Sequence, residues 1–211
     1  MYNLQVNNRE KVFKMARILC THCNFALNTC VCSAIETITN KVKVIILQHP
    51  SEEKIAKNTA KLLDLSLIDC EIIKGENSAD FSMLNSLPKE STVLLYPNEN
   101  ATYLDEPNST NHKHITHLIV IDGTWKKAYK ILQVTPALNQ FRTVSFNKPP
   151  KNLYTIRKAP RDDSLSTLEA VAHSLSLIEH LNPEPLFTLL EELINKQTQH
   201  MPEHVKARYL N

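Results

Sequence analysis

Two stretches of the chain carry residue types and spacings that can do chemistry. In IVIDGTWKKAYK, residues 119–130, an apolar run of strand type ends in Asp122, followed by Gly123, Thr124, the chain's one tryptophan (Trp125) and three lysines. A carboxylate at a strand end can accept a proton or orient a substrate N–H. It can equally cap the helix expected to start at Thr124. In CTHCNFALNTCVC, residues 20–32, Cys20, Cys23, Cys30 and Cys32 stand as C-x2-C-x6-C-x-C. Each close pair can grip one ion from a tight turn, which is the ligand pattern of a tetrahedral zinc site. The competing reading is four reduced, buried thiols. With four sulfur ligands and no open position, such a zinc would be structural. His22 lies too close to its cysteine neighbours to join them on one ion, and Cys70 sits in an apolar pattern as ordinary core.

Composition bounds the function. The chain has 211 residues, 42% hydrophobic and 22% charged, which is the profile of one globular domain with, at most, a small appendage. No apolar run approaches the roughly 20 residues of a membrane span. The N-terminus has no apolar signal core, so the cytoplasm is the expected compartment, where clustered cysteines favour metal over disulfides. Gly75 and Gly123 are the two glycines of the whole chain. Phosphate-cradling loops of the dinucleotide or P-loop type need several, so a nucleotide-like ligand must be held differently. From Lys126 to Arg161 there are nine basic residues and no Asp or Glu, within a chain of net charge +2. This is the electrostatic footprint of a phosphate-rich partner, or a solvated face whose counter-charges lie elsewhere in the fold.

The elements that must position these residues alternate. Strands are predicted at 41–48 (KVKVIILQ), 67–73, 91–97 and 117–122, and short strands or extended segments at 141–146 and 152–157. Helices are predicted at 50–65, with Ser51 as cap and Ile55, Thr59, Leu62 and Leu63 on one face, at 124–133, at 166–181 and at 184–201. Ser166-Thr167-Leu168-Glu169 has the capping-box pattern, in which Ser and Glu satisfy each other's amides. Trp125, Ala128, Tyr129 and Leu132 share a helical side, which favours Trp125 as a core anchor; stacking on an unpaired base is its other reading. Residues 98–114 are polar and read as a surface loop. This alternation predicts an α/β fold, a mostly parallel sheet flanked by helices, with an N-terminal cysteine segment (1–40) ahead of the α/β domain (41–211). Ligands of such sheets sit beyond the carboxyl ends of the strands. His49-Pro50, Tyr96-Pro97, Asp122 and Arg157 all follow strand ends, so they are expected to converge on one crevice.

In this order along the chain, five motifs resemble those of the DTW-domain family, the tRNA-uridine aminocarboxypropyltransferases. They are Arg17-x-x-Cys20-x-x-Cys23 with Cys30-x-Cys32; His49-Pro50-x-Glu52 followed by Asn58-Thr59; Leu95-Tyr96-Pro97; Asp122-Gly123-Thr124-Trp125; and Ser166-Thr167-Leu168-Glu169-Ala170. The resemblance implies a zinc knot on an α/β domain related to knotted, SPOUT-like RNA methyltransferases. It implies S-adenosylmethionine as donor, with its 3-amino-3-carboxypropyl chain delivered to N3 of a tRNA uridine and methylthioadenosine released. Donor contacts would come from Leu95, Tyr96, Pro97, Thr124, Ser166, Thr167, Leu168 and Glu169, and chemistry from Asp122 and Trp125. Binding of tRNA would fall to His49, Lys126, Lys127, Arg157, Lys158 and Arg161. Two other functions fit the same residues less fully: methyl transfer from the same donor, and a non-catalytic zinc-containing RNA-binding module.

The residues suit the implied chemistry. A sulfonium is already an activated electrophile, so orientation and handling of the N3 proton are what remain. An Asp with a pKa near ~3.9 is a far weaker base than the uracil anion, each unit of mismatch costing about 1.4 kcal/mol. Asp122 is therefore expected to accept the N3–H bond and take the proton late, as the new bond forms.

Overall fold

A computed structural model describes residues 18–106, 112, 114–156, 164–199 and 201–206. Six strands form one sheet: β1 (Lys43–Gln48), β2 (Cys70–Lys74), β3 (Thr92–Leu95), β4 (Thr102–Tyr103), β5 (His117–Asp122) and β6 (Arg142–Ser145). Their order is β2-β1-β5-β3-β6-β4, and every pairing is parallel. The expected parallel α/β architecture is thus present. The apolar runs of β1 and β5 are continuous because both faces of the sheet are covered. Val44, Ile46, Leu118 and Val120 point into one hydrophobic cluster, and Ile45, Leu47 and Ile119 into the other.

The first cluster is roofed by α1 (Ala60–Ser66), α3 (Thr167–Glu179) and α4 (Glu184–Thr198). Leu62, Leu63, Leu168, Val171, Leu189 and Leu193 are fully buried there, and each contributes about 1.5–3 kcal/mol of burial energy. The cysteine segment belongs to the same cluster: Cys23, Phe25 and Val31 are buried in it. The second cluster is closed by α2 (Trp125–Val134), through Ala128 and Ile131, and by the 3-10 turns Ser82–Ser86 and Pro136–Gln140. A last short helix, α5, spans Glu203–Lys206.

The topology selects one place for a site. From β1 the chain crosses to β2 on one side; from β5 it crosses to β6 on the other. β1 and β5 are neighbours, with Gln48 opposite Asp122 at their carboxyl ends, so the switch point of the sheet lies between those two residues.

Two predicted elements differ. The helix expected over 50–65 is a single turn, Pro50–Glu52, then irregular chain until α1. Ser51 does not cap it; the His49 ring accepts from the Ser51 amide. Within the irregular part the Lys57 carbonyl accepts from the Tyr154 hydroxyl at 2.7 Å, and Asn58 reaches toward β5. These tertiary bonds override the helical spacing, and Ile55 is left exposed. Residues 152–156 take the second of the two expected forms, an extended segment and not a strand, because the amides of Leu153 and Tyr154 are taken by the Glu169 carboxylate. The polar loop at 98–114 contains the edge strand β4.

Candidate functional site

Asp122 closes β5 and is 5% exposed. Its Oδ2 accepts from Asn58 Nδ2 at 2.7 Å and Gln48 Nε2 at 3.0 Å, and its Oδ1 accepts from Thr167 Oγ1 at 2.6 Å. A carboxylate has about four lone-pair positions, so three donors leave about one for a substrate. No cation pairs with Asp122 among the described residues. Three donated bonds fix its carboxylate, and the first turns of two helices lie close by: α2 begins three residues downstream, and Thr167 is the first residue of α3. The helix-cap reading of Asp122 is overturned: the N-cap of α2 is Thr124, whose side chain makes no cap bond.

Neighbouring motif residues hold this arrangement. Thr59 Oγ1 accepts from the Leu168 amide at 3.3 Å, so the Asn58-Thr59 pair ties the loop after β1 to Asp122 and to the start of α3 at once. The capping box is formed: Ser166 accepts from the Glu169 amide and Glu169 from the Ser166 amide. Glu169 is 2% exposed, and its second oxygen holds Leu153 and Tyr154. Both carboxylate oxygens are thereby engaged, and this side chain clamps two loops. Leu168 packs its side chain into the main cluster.

Beside Asp122 lies a cavity of about 110 Å³, lined by Leu95, Tyr96, Pro97, Gly123, Trp125 and Thr167, with Ser164 and Leu165. Trp125 is 46% exposed and meets Tyr96 edge-on, with ring centroids 6.4 Å apart. The core-anchor reading of Trp125 is therefore wrong. At the first position of α2 its side chain leans beyond the helix start, past the sheet and over the cavity. The Ser164 hydroxyl is buried without a hydrogen-bond partner among the described residues. A polar ligand atom in the cavity would satisfy it. A Cβ on Gly123 would come within 3.2 Å of Lys127 Cβ and 3.6 Å of His49 Cβ, so glycine keeps this corner narrow.

His49 is locked. Its Nδ1 accepts from Ser51 and its Nε2 meets Glu76 Oε2 at 2.9 Å, while its amide donates to the Asp122 carbonyl at 3.0 Å. Lys127 pairs with Glu52 at 2.9 Å and Lys130 with Glu76 at 3.3 Å, so these two lysines find counter-charges in neighbouring loops. Lys126 is exposed and makes no ion pair among the described residues. Arg17, Arg157, Lys158 and Arg161 lie outside the described residues.

The four cysteine sulfurs lie within 4.8 Å of one another, Cys20 and Cys32 at 3.6 Å, and Cys23 and Cys30 at 3.6 Å. A tetrahedron with metal–sulfur bonds of ~2.3 Å has edges of about 3.8 Å, so the cluster could hold a metal ion. Amides of Cys23 and His22 draw the Cys20 thiol down to about 6. Burial, and then Cys30, Cys20 and Cys23, push Cys32 up to about 12. One thiolate is favoured and further ones are resisted, which is the electrostatic situation a bound cation relieves. His22 Nδ1 lies 3.5 Å from Cys32 Sγ, placed to hydrogen-bond that sulfur.

Gln48 and Asn58 as partners of Asp122, and Ser164 in the cavity lining, are positions of the candidate site that sequence reasoning does not single out. Gln48 breaks an otherwise apolar strand at its last residue, and that is the available signal.

An α/β protein with a parallel sheet, a four-thiol centre and a carboxylate clasped at the switch point is the class these features define. Residues 17–198 match the DTW domain, and the chain belongs to that family. It is 34% identical over 184 residues to tRNA-uridine aminocarboxypropyltransferase 2 of Drosophila melanogaster, across 82% of this chain and 71% of that protein. The Macaca fascicularis protein of the same name is 29% identical over 190 residues, 86% of this chain and 64% of that one. Similarity extends to tRNA-uridine aminocarboxypropyltransferase A of Arabidopsis thaliana, 25% identical over 234 residues, 92% of this chain and 89% of that protein. The chain thus spans only part of the two animal relatives. No solved structure matches it.

Proposed function

We propose that this chain is a transferase that moves the 3-amino-3-carboxypropyl group of S-adenosylmethionine to N3 of a uridine in tRNA. The observation that carries the reading is the meeting of the family's scattered motifs at one carboxylate. Asn58 and Thr167, 109 positions apart, both hydrogen-bond Asp122. The donor supplies a sulfonium whose side-chain carbon is electrophilic and whose leaving group is methylthioadenosine. The chain's part is orientation and proton handling. Asp122, with one lone-pair position left, receives the uracil N3–H and accepts its proton as the N–C bond forms and the C–S bond breaks. Gln48, Asn58 and Thr167 fix its orientation.

The small cavity suits part of the donor. At about 110 Å³ it falls below the ~300–1,000 Å³ of sites that enclose a drug-sized ligand, so one ring fits while the remainder projects toward Asp122. Leu95, Tyr96 and Pro97 line it, Ser164 and Thr167 offer hydroxyls, and the uncapped first turn of α2 at Thr124 favours a carboxylate. Trp125, half-exposed at the rim, supports stacking on an unpaired base, and Lys126 beside it supports a phosphate contact. The cysteine cluster is proposed to bind a structural zinc. Kinship with knotted RNA methyltransferases is part of the same proposal, supported by the parallel sheet and the glycine-poor crevice. No described helix is long and apolar enough to cross a membrane.

Incubation with unmodified tRNA and S-adenosylmethionine tests the reading. Methylthioadenosine and an N3-aminocarboxypropyl uridine are expected. S-adenosylhomocysteine as by-product would replace it by methyl transfer, and tRNA binding with no by-product would leave an RNA-binding module.

A further inference from the structure

On the far side of Asp122 from the small cavity lies a cleft of about 830 Å³. One wall is the cysteine segment, with Asn24, Phe25 and Asn28; the opposite wall is the loop after β1, with Lys54, Ile55 and Ala56. α1 supplies Lys61, and the end of α4 supplies Lys196 and Gln197. At its back are Gln48 and Asn58, the two amides that clasp Asp122.

The reaction has two substrates, and the two cavities differ in a way that sorts them. The smaller is lined mainly by apolar and aromatic side chains. The larger carries four lysines against Glu53 and Asp64. Of these lysines, Lys74 pairs with Glu53 at 2.6 Å and Lys196 with Glu192 at 3.4 Å. Lys54 is exposed with no carboxylate partner among the described residues. Lys61 has none either and rests over the Phe25 ring, 4.5 Å from its centroid. Two unpaired cations at the walls suit a polyanion. The exposed amides of Asn24 and Asn28 each carry donors and an acceptor, the complement of a uracil edge with alternating carbonyls and N–H, while Gln48 and Asn58, buried and bonded to Asp122, close the back of the cleft. We infer that this cleft seats the acceptor strand of the RNA, its uracil directed past Asn24 and Asn28 toward the back wall, and its phosphates at Lys54 and Lys61.

The inference deepens the proposed transferase reading and rests on it. It also gives the cysteine segment a role in substrate binding, as one wall of the acceptor seat. Donor and acceptor then approach Asp122 from opposite sides, with Thr167 on the donor side and the two amides on the other.

The test uses the full metal-loaded chain with Lys54→Glu, Lys61→Met and the double variant Lys54→Ala/Lys61→Met. Unmodified tRNA transcript and S-adenosylmethionine are titrated separately. Each single variant is expected to raise the tRNA KM about tenfold. The double variant should flatten the slope of log affinity against log salt by about 1.4, as loss of two single-strand phosphate contacts requires. Donor affinity and kcat should stay unchanged. Lys54 is exposed, so Lys54→Glu reads the effect even if Lys61→Met perturbs folding. An unchanged tRNA slope overturns the inference. So does a loss of S-adenosylmethionine affinity, which would make the cleft the donor's seat. If the wild-type chain forms no aminocarboxypropyl product, the transferase reading fails, while the salt slope still reports on the cleft.

Discussion

Two clusters of four side chains dominate this molecule, and they are built in opposite ways. Cys20, Cys23, Cys30 and Cys32 come from 13 consecutive residues, and their sulfurs gather within 4.8 Å through two tight turns. Asp122, Gln48, Asn58 and Thr167 come from β5, β1, the loop after β1 and the start of α3, and meet only because the sheet order makes β1 and β5 neighbours. The first cluster is a local assembly that could hold a metal ion. The second depends on the whole fold. The four thiols should therefore govern whether part of the chain folds, and the carboxylate cluster should govern what the folded chain does.

Cys23→Ser is the most severe way to test that division. Cys23 is fully buried in the first hydrophobic cluster; with zinc bound as proposed, losing one sulfur should release it and lower Tm by about 10 °C or more, with metal content and a thermal melt as readouts. A variant that loses metal without losing stability would break the comparison. Asp122→Asn should act the other way. Turnover is expected to fall about 10²–10⁴-fold, with tRNA affinity retained and Tm lowered less than by Cys23→Ser; unchanged turnover would remove Asp122 from the chemistry. Thr167→Val deletes one donor to Asp122 and should cost about 1–2 kcal/mol, near tenfold in turnover. Thr167→Ser should recover most of it, and failure to recover would assign the loss to packing.

The smallest effect concerns acid stability. Burial holds His117 and His173 below the ordinary histidine value, and His173 packs on Phe146 with centroids 4.8 Å apart. Below about 6.5 the unfolded chain takes up protons that these folded histidines resist, so stability falls as pH drops from there toward their lowered values. Replacing both by Gln should flatten a Tm profile between pH 7 and 5.5; an equal slope would place the acid sensitivity elsewhere.

The same contrast explains what the sequence can disclose. The thiol spacing and the Ser166–Glu169 capping box are interactions over a few residues, so their pattern is visible along the chain. Strand ends are legible too, because the apolar runs of β1 and β5 stop at Gln48 and Asp122. Asp122's partners are not, since Asn58 and Thr167 become neighbours only through strand order. The first half of the helix expected over 50–65 is lost for that reason, and only its second half forms, as α1: the apolar spacing is real, but Asn58 and Lys57 are spent on β5 and on Tyr154. Trp125 defeats a helical wheel because the wheel assigns faces as if the helix were endless. The buried stripe of α2 is Ala128 and Ile131, and a first-turn residue projects past the element that would have covered it.

That position of Trp125 has an optical consequence. With a single tryptophan in the chain, all indole emission arises from the mouth of the small cavity. The enzyme carries its own site-specific fluorophore: a ligand ring that excludes water there should shift the emission to the blue. Its arrival at the small cavity can be timed without a label and without turnover.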